Sequence, residues 1–463
     1  MKLAGYSFAC ASTAFALTFA FVLGGGCGSS KAGSGFDDGD NANADGGGTL
    51  GDGGTGFGGG GRDDAGIDCA VSGTVSGIAY APNGTLPLYN VIVFAPTAPL
   101  DPLTEGVSCD KCGSVSGKPA ASTVSDATGH FSLRGVPSGD NVPIVFQVGK
   151  WRREVTIPHV NAGCADNPIT DPNLSRLPKN HTEGDIPHIA VTTGTCDSIA
   201  CVLPKMGIDA SEFGVQSQYA DHRIIFYQGG GPDINSGSPA ITPAQNLWGS
   251  GTELAKYDVA IFSCECQESP GTKQVGDEAI VANYLNSGGR TFGTDFMYTW
   301  VHKGNQFTDT PPAPINNIMQ SFVGGAPVDF TSSYNVDTTF PKGKALADWL
   351  TAVGGSTTSG QIDLTSVFKN FGRADPTLAQ RWVYDTIGDK AISYTTPFSE
   401  PDEANRCGKS YFMDIHVGSG SVGPGFPSGC TSALTPQEKM MVFFLFDLAS
   451  CIQDDTQPVN PPR

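Results

Sequence analysis

Residues 257–295, YDVAIFSCECQESPGTKQVGDEAIVANYLNSGGRTFGTD, decide how most of the chain is read. Asp258–Ser263 (DVAIFS) is a short apolar run rich in β-branched and aromatic residues, which reads as a strand. Gly276–Asn286 (GDEAIVANYLN) has helical, amphipathic spacing and is stopped by Gly288-Gly289, and Arg290–Thr294 (RTFGT) is the next strand. A strand, a crossover helix and a strand make a βαβ unit, and units of this kind build a largely parallel sheet.

The pattern continues on both sides. His188–Thr193 (HIAVTT) and Arg223–Tyr227 (RIIFY) read as strands before it and Ser410–Val417 (SYFMDIHV) as one after it. Helices are expected over Asp197–Met206, with Gly207 as the residue that ends it, and over Thr242–Lys256. Thr435-Pro436-Gln437-Glu438 is a capping box with proline at the first helical position. The helix it opens, KMMVFFLFDLASCI, is apolar on nearly every side and must be enclosed, between the sheet and an inserted segment.

From Cys69 to Cys164 the period is that of short strands: Val71–Tyr80, Tyr89–Phe94, Ser122–Val124, His130–Arg134, Ile144–Val148 and Glu154–Ile157. Pro82-Asn83-Gly84, Asp126-Ala127-Thr128-Gly129 and Pro137-Ser138-Gly139 punctuate them as turns. Six short strands at this spacing predict a small β-sandwich. Residues 165–185, rich in Pro, Asn and Asp, read as a loop.

Residues 28–67 hold 16 glycines and seven aspartates with almost nothing to bury, so they read as a disordered tether. As a Gly-rich coil it would reach ~35 Å. Ahead of it, Lys2 and the apolar run 7–23 form a secretory signal, too short for a convincing membrane span. The run Leu23-Gly24-Gly25-Gly26-Cys27 resembles the bacterial lipoprotein lipobox, with leucine one place earlier than usual. That resemblance implies Cys27 as the lipidated first residue of the mature chain, anchored in a membrane without a spanning helix.

Composition agrees with export and excludes one class of partner. The 463 residues carry 27 Lys+Arg against 46 Asp+Glu, a formal charge of −19, so no nucleic-acid partner is expected. Only 16% of residues are charged, against roughly 25% in an average globular protein. The length corresponds to two or three domains at ~100–200 residues each.

Two family resemblances extend this reading. The run G-T-V-S-G…L-Y-N-V-x-V…S-D-A-T-G-H-F-S-L-R-G-V-P-S-G resembles the carboxypeptidase regulatory-like, transthyretin-related family, which implies a structural or adhesive module without catalytic residues. Tyr257–Phe262, Tyr284–Asp295 and Gly408–His416 resemble the class I glutamine amidotransferase-like fold, in its trehalose-utilisation-type branch. That family places a nucleophilic cysteine in a G-x-C-x-G elbow. Here the matching residues are Gly293-Thr294-Asp295-Phe296-Met297, so Asp295 stands in the nucleophile's place and glutaminase activity is not expected. The expected architecture is multidomain. A signal (1–26), a tether (27–68) and an all-β sandwich (69–165) precede a linker (166–186), a flavodoxin-like α/β domain with a mostly parallel sheet (187–452) and a tail (453–463).

Ligands of open parallel sheets bind beyond the carboxyl ends of the strands. Thr193-Gly194, Cys264-Glu265, Thr294-Asp295 and His416 all fall at such ends. Asp295 or Glu265 with His416 could form an acid/base pair or part of an oxygen-rich cation site. Equally, Asp295 could cap the following helix and His416 be a hydrogen-bonded core histidine. Thr294, Tyr298 and Trp300, with Trp248 and His302 nearby, offer a ligand surface on which aromatic faces would suit sugar rings, or else they pack. The other histidines lack metal-ligand spacing, and no cofactor is expected.

Without Cys10 and Cys27, eleven cysteines remain, mostly as disulfides in an exported chain. Cys69–Cys164 would close the sandwich, and Cys430–Cys451 or Cys407–Cys430 would brace the last helix. The CxxC of Cys109 and Cys112 has no following helix, so neither a redox nor a zinc role is expected of it. An odd count leaves one free thiol or an intermolecular bridge; Cys264 and Cys266, at a strand end, are the candidates for a reactive thiol, but neither has a histidine nearby in sequence, which favours structural pairing. The function expected is that of a cell-envelope, membrane-anchored binding or structural module for carbohydrate or a protein partner. The alternative is a hydrolase or isomerase on a sugar-like substrate.

Overall fold

The computed structural model describes residues 66–463 apart from 111–114, 269–272, 275, 303–313, 322–331, 369, 419 and 460–463. The signal, Cys27 and nearly all of the tether therefore lie outside the described residues. The rest is multidomain and mostly β, arranged in several sheets.

The first part holds β1 (Ser72–Ile78), β2 (Ile92–Pro96), β3 (Pro119–Val124), β4 (His130–Pro137), β5 (Gly139–Val148), β6 (Trp151–Val160) and β7 (Asp166–Ile169). They form two sheets, β4-β1-β7 and β3-β2-β5-β6. Alternation drives the pairing: Phe131, Leu133 and Val136 of β4 are buried while His130, Ser132 and Arg134 face outward. Phe131 meets Phe146 of β5 edge-on at 5.5 Å, joining the two inner faces. The turn before β4 forms because Asp126 Oδ1 accepts from the backbone N–H groups of Thr128 (2.7 Å) and His130 (3.0 Å). Gly129 closes it at φ +82°, where a Cβ would lie 2.7 Å from Pro87. The segment read as a loop carries β7, parallel to β1, and a short helix at Pro172–Ser175.

The large sheet contains β8 (Ile189–Thr192), β9 (Phe213–Val215), β10 (Ile224–Gln228), β11 (Thr242–Pro243), β12 (Val259–Phe262), β13 (Arg290–Thr294), β14 (Ser332–Val336), β15 (Gln361–Leu364), β16 (Gln380–Tyr384), β17 (Asp389–Thr396) and β18 (Gly408–Met413). Its order is β11-β10-β8-β12-β13-β18-β17-β16-β14-β15, with β9 also on β10. From β11 to β18 every pairing is parallel, and from β18 to β15 every pairing is antiparallel. β8, β12, β13 and β18 are buried along their whole length, as strands covered on both faces must be. The crossover helix is Asp277–Asn286, but the helix expected over 242–256 is two single turns, Gln245–Trp248 and Gly251–Leu254. Gly249 ends the first turn, and the Ser250 hydroxyl caps the second. The expected 197–206 helix reduces to a 3₁₀ turn and Val202–Lys205.

The last helix, Pro436–Ala449, is capped as expected, with Thr435 and Glu438 satisfying each other's backbone N–H groups. It is enclosed by the large sheet on one side and by the first part of the chain on another, rather than by an inserted segment alone. Phe444 stacks on Tyr411 of β18 at 4.6 Å, while Phe443 stacks on Tyr89 at 5.6 Å and Phe446 meets Trp151 of β6 at 5.7 Å. Its polar residue, Asp447, accepts from Lys342 (2.8 Å), Lys409 (2.5 Å) and the Tyr411 hydroxyl (2.7 Å), and Asp455 accepts from the same two lysines. Two ammonium groups thus face two carboxylates inside the protein.

Cys69–Cys164 forms as expected, but the other pairings among the described residues differ: Cys109–Cys407, Cys196–Cys266 and Cys201–Cys430. Neither Cys407–Cys430 nor Cys430–Cys451 exists, because the sheet brings Cys430 to the 3₁₀ turn after β8 and Cys407 to the loop after β2. Disulfides of this number mark a chain that folds in an oxidising, exported setting. No described helix is long and apolar enough to cross a membrane.

Two outcomes follow from these buried charges. Asp447→Ala leaves Lys342 and Lys409 to share the single carboxylate of Asp455 and should cost ~3–5 kcal/mol in urea unfolding, whereas the exposed-pair variant Asp348→Ala should cost under ~1 kcal/mol; equal losses would contradict this account. Asp258 accepts from Lys150 (2.5 Å) and from the His188 backbone (2.8 Å), yet burial pushes its carboxyl up to about 6. That lies above the unfolded value of ~3.9, so Asp258 favours the fold fully below about pH 4 and loses that contribution as pH rises through about 6. Asp258→Asn should therefore gain on the wild type by up to ~3 kcal/mol between pH 4 and 7. Unfolding free energies at four pH values check it, and a pH-independent difference would refute it.

Candidate functional site

Because β8, β10, β12, β13 and β18 are parallel, their carboxyl ends share one edge of the sheet. β12 delivers Cys264 there, β13 delivers Asp295, and the segment after β18 delivers His416. β10 and β12 flank β8 on opposite sides, so the chain reverses its direction of progress beside β8, the position at which open parallel sheets take their ligands.

Asp295 is fully buried and takes φ +40°, a left-handed conformation that costs a non-glycine residue of order 1–3 kcal/mol. It sits at the turn from β13 into a 3₁₀ helix, and that backbone directs its carboxylate at His416 and Cys264. Asp295 Oδ2 lies 3.1 Å from His416 Nε2 and accepts from the Cys264 thiol at 3.3 Å. The Cys264 sulfur and His416 Nε2 are 3.4 Å apart. Asn370 donates to the other oxygen, Oδ1, at 2.7 Å and fixes the carboxylate's rotation. The His416 side chain is 18% exposed and Phe368 lies against its ring at 4.2 Å, so solvent reaches the cluster from the histidine side.

A second buried carboxylate ties the strand ends together. Asp197 accepts from the Val417 backbone (2.8 Å), the Cys264 backbone (3.3 Å) and the Thr294 hydroxyl. Burial pushes the Asp197 carboxyl up to about 6. Burial also disfavours the charged form of His416, but the hydrogen bond to Asp295 and the charges of Asp197 and Asp295 outweigh it and raise its pKa. The Cys264 thiol is pushed far up by burial and by the same two carboxylates, so the free side chain is a thiol and not a nucleophilic thiolate.

Asp295 and His416, read from the sequence as partners, are thus in hydrogen-bond contact. Glu265 is not part of that contact: its Oε1 accepts from the Gly230 backbone at 3.1 Å, beneath the Gly229–Gly231 turn. A Cβ at Gly229 would sit 2.8 Å from that oxygen, so glycine is needed for this close approach. Thr294 is buried, its hydroxyl spent on Asp197. Tyr298 and Trp300 are corrected more strongly. Both are buried, and Trp300 packs with Trp248 and Phe262 at 5.8 and 5.5 Å, so neither ring offers an open face to a sugar. Cys266 is bonded to Cys196, leaving Cys264 as the free cysteine among the described residues.

Asp197 and Asn370 escaped sequence reading, and Cys264, expected at the same rim, was not linked there to Asp295 and His416. Cys264 had no histidine near it in sequence because its partner lies 152 residues on. Asp197 had a signal, since it follows the end of β8, and Asn370 had none.

No protein-family model matches the chain, and no curated protein matches it. Among solved structures it shows a likeness to the exo-β-1,4-mannosidase Op5Man5 from Opitutaceae bacterium strain TAV5, at 9% identity and a TM-score of 0.21 over half of this chain. The chain spans 31% of that protein's length, and a likeness so slight carries no argument.

Iodoacetamide should leave Cys264 unlabelled in the native, unreduced protein and label it once urea is added, because its side chain is buried. Peptide mapping reads the site; rapid native labelling of Cys264 would show that the cluster is open.

Proposed function

We propose that the chain is an exported hydrolase or isomerase acting on a sugar-like, hydroxyl-bearing substrate at the strand-end cluster of Asp295, His416 and Cys264. The observation that carries the reading is the 3.1 Å contact between a fully buried carboxylate and a partly exposed imidazole at the ends of parallel strands. Asp295 orients the ring and balances its charge, and the solvent-side approach to His416 leaves room for a substrate hydroxyl. The strand order β10-β8-β12-β13-β18 supports a flavodoxin-like, amidotransferase-related origin for this part, as does the left-handed elbow at Asp295. Carboxylate in place of the elbow cysteine argues against glutaminase chemistry. The reading as a carbohydrate-binding module loses its aromatic support, since Tyr298 and Trp300 are buried.

On this view the two small sheets are a carboxypeptidase regulatory-like platform, and a lipid on Cys27 with the Gly/Asp-rich tether holds the enzyme to the cell envelope, at the outer membrane or cell surface. An acidic chain with a formal charge of −19 suits neutral or cationic polymers better than anionic ones.

The test is turnover of a panel of aryl glycosides, sugar lactones and aldose–ketose pairs by the full chain. His416→Ala and Asp295→Asn should each lower kcat/KM by ~10²-fold or more with the thermal midpoint of His416→Ala held near wild type. Turnover untouched by His416→Ala would overturn the reading. Retention of envelope polysaccharide by both wild type and His416→Ala, with no turnover by either, would replace it with a binding module.

A further inference from the structure

The three side chains of the cluster are arranged in a way that proton transfer does not account for. In a relay, a histidine meets its nucleophile with one ring nitrogen and its carboxylate with the other. Here the single atom His416 Nε2 faces both the Asp295 carboxylate and the Cys264 sulfur. Hydrogen bonds also account for only two of the three edges. The thiol proton points at Asp295 Oδ2, and an Nε2 proton would point there too, which leaves the 3.4 Å sulfur–nitrogen edge without a proton between its atoms.

All three edges have one explanation if the atoms surround a common point. With bonds of ~2.3 Å to sulfur and ~2.0 Å to nitrogen and oxygen at tetrahedral angles, zinc would hold S···N and S···O at ~3.5 Å and N···O at ~3.3 Å. The observed edges are 3.4, 3.3 and 3.1 Å. We propose that Cys264, Asp295 and His416 bind one divalent transition-metal ion, zinc by the chemistry of the donors, as a three-ligand site with its fourth position open.

The surroundings fit this assignment. Asn370 holds Oδ1 of Asp295 and leaves Oδ2 for the ion, as outer partners of metal carboxylates do. The Cys266 backbone N–H donates to the Cys264 sulfur at 3.4 Å, which stabilises charge on a metal-bound thiolate. A thiolate and a carboxylate neutralise a dication, so the buried site carries no net charge once the thiol proton is released to solvent. The Cys196 sulfur lies within 4.8 Å of the Cys264 and His416 donor atoms, but its disulfide to Cys266 leaves it no thiolate to offer. Three protein ligands and a water are the arrangement of catalytic zinc sites, in which bound water ionises near neutral pH. The inference extends the reading of this edge as functional and changes the roles of Asp295 and His416 from proton carriers to ligands.

Full chain prepared without reductant and stripped with a chelator should take up one Zn²⁺, measured by calorimetry and elemental analysis. Co²⁺ should give the visible absorption of a tetrahedral site with a thiolate charge-transfer band. Cys264→Ser should abolish that band, His416→Ala should weaken binding by at least 100-fold, and Asn370→Ala by 10- to 100-fold. His130→Ala, at an exposed histidine of β4, should bind as wild type. No stoichiometric metal on a folded wild-type chain would overturn the proposal, and so would cobalt spectra unchanged by Cys264→Ser. Uptake only after a thiol reductant opens Cys196–Cys266 would overturn it in favour of a three-cysteine, one-histidine site. Metal bound without turnover of any substrate would sink the enzymatic reading alone, and turnover by a chain that never binds metal would sink this inference alone.

Discussion

Asp447 receives two ammonium groups and a phenol at the end of a helix whose residues 440–446 are all apolar. Such a helix has no face to give to water, so every other layer is obliged to cover it. The sheet supplies Tyr411 and Trp382, the 341–352 helix supplies Trp349, and the first part of the chain supplies Tyr89 and Trp151. The two parts therefore share one hydrophobic core instead of meeting as beads on a string. Trp349 makes the same point with a polar atom, its indole N–H donating to the Pro87 carbonyl at 2.8 Å. A buried charge cluster adds specificity to this apolar association, since a shifted helix would leave two lysines to one carboxylate, Asp455.

The fixed helix matters to the site through its first turn. Gln437 donates to the His416 carbonyl at 3.0 Å and accepts from Thr365, pinning the segment that follows β18. His416 is thereby held from below by the helix and from the side by Phe368, while Asp197 draws in Val417, Cys264 and Thr294. Four strand ends are fastened to one another by a carboxylate that takes no part in the Asp295 contact. The left-handed backbone at Asp295 is sustained by this network and by Asn370, which is how strain persists at a functional position.

The legible part of the fold was the part with strong local periodicity. β8, β10, β12, β13 and β18 are short, apolar and separated by turn residues, so their existence, and the alignment of their carboxyl ends, could be read. The capping box at Thr435 is a local signal and the helix starts where it says. β14, β15 and β16 were missed because they mix buried and exposed residues, and β17 because, although buried throughout, its run DKAISYTT is half polar and lacks an apolar signature; the 341–352 helix was missed with them. The disulfides were unreadable for the same reason: Cys109 and Cys407 are 298 residues apart, and only tertiary structure puts them together. Tyr298 and Trp300 lie directly after a strand-end aspartate, yet the 3₁₀ turn rotates them into the core, which sequence spacing cannot reveal.

A free thiol at Cys264, where the other described cysteines are bonded, calls for a physical reason in an oxidising compartment. Thiol–disulfide exchange needs a thiolate in line with a disulfide sulfur. Cys264 lies beside the Cys196–Cys266 bond, so proximity alone would invite reshuffling. What opposes it is the environment: burial and the carboxylates of Asp197 and Asp295 keep the thiol protonated, and the S–H is directed at Asp295 rather than away from it. The same acidic surroundings that silence Cys264 as a nucleophile favour it as a donor to a cation, because a dication compensates the charge that a thiolate would add. A carboxylate, an imidazole and a protected thiol converging on one point are thus better explained by the ion they could hold than by a proton passed between them.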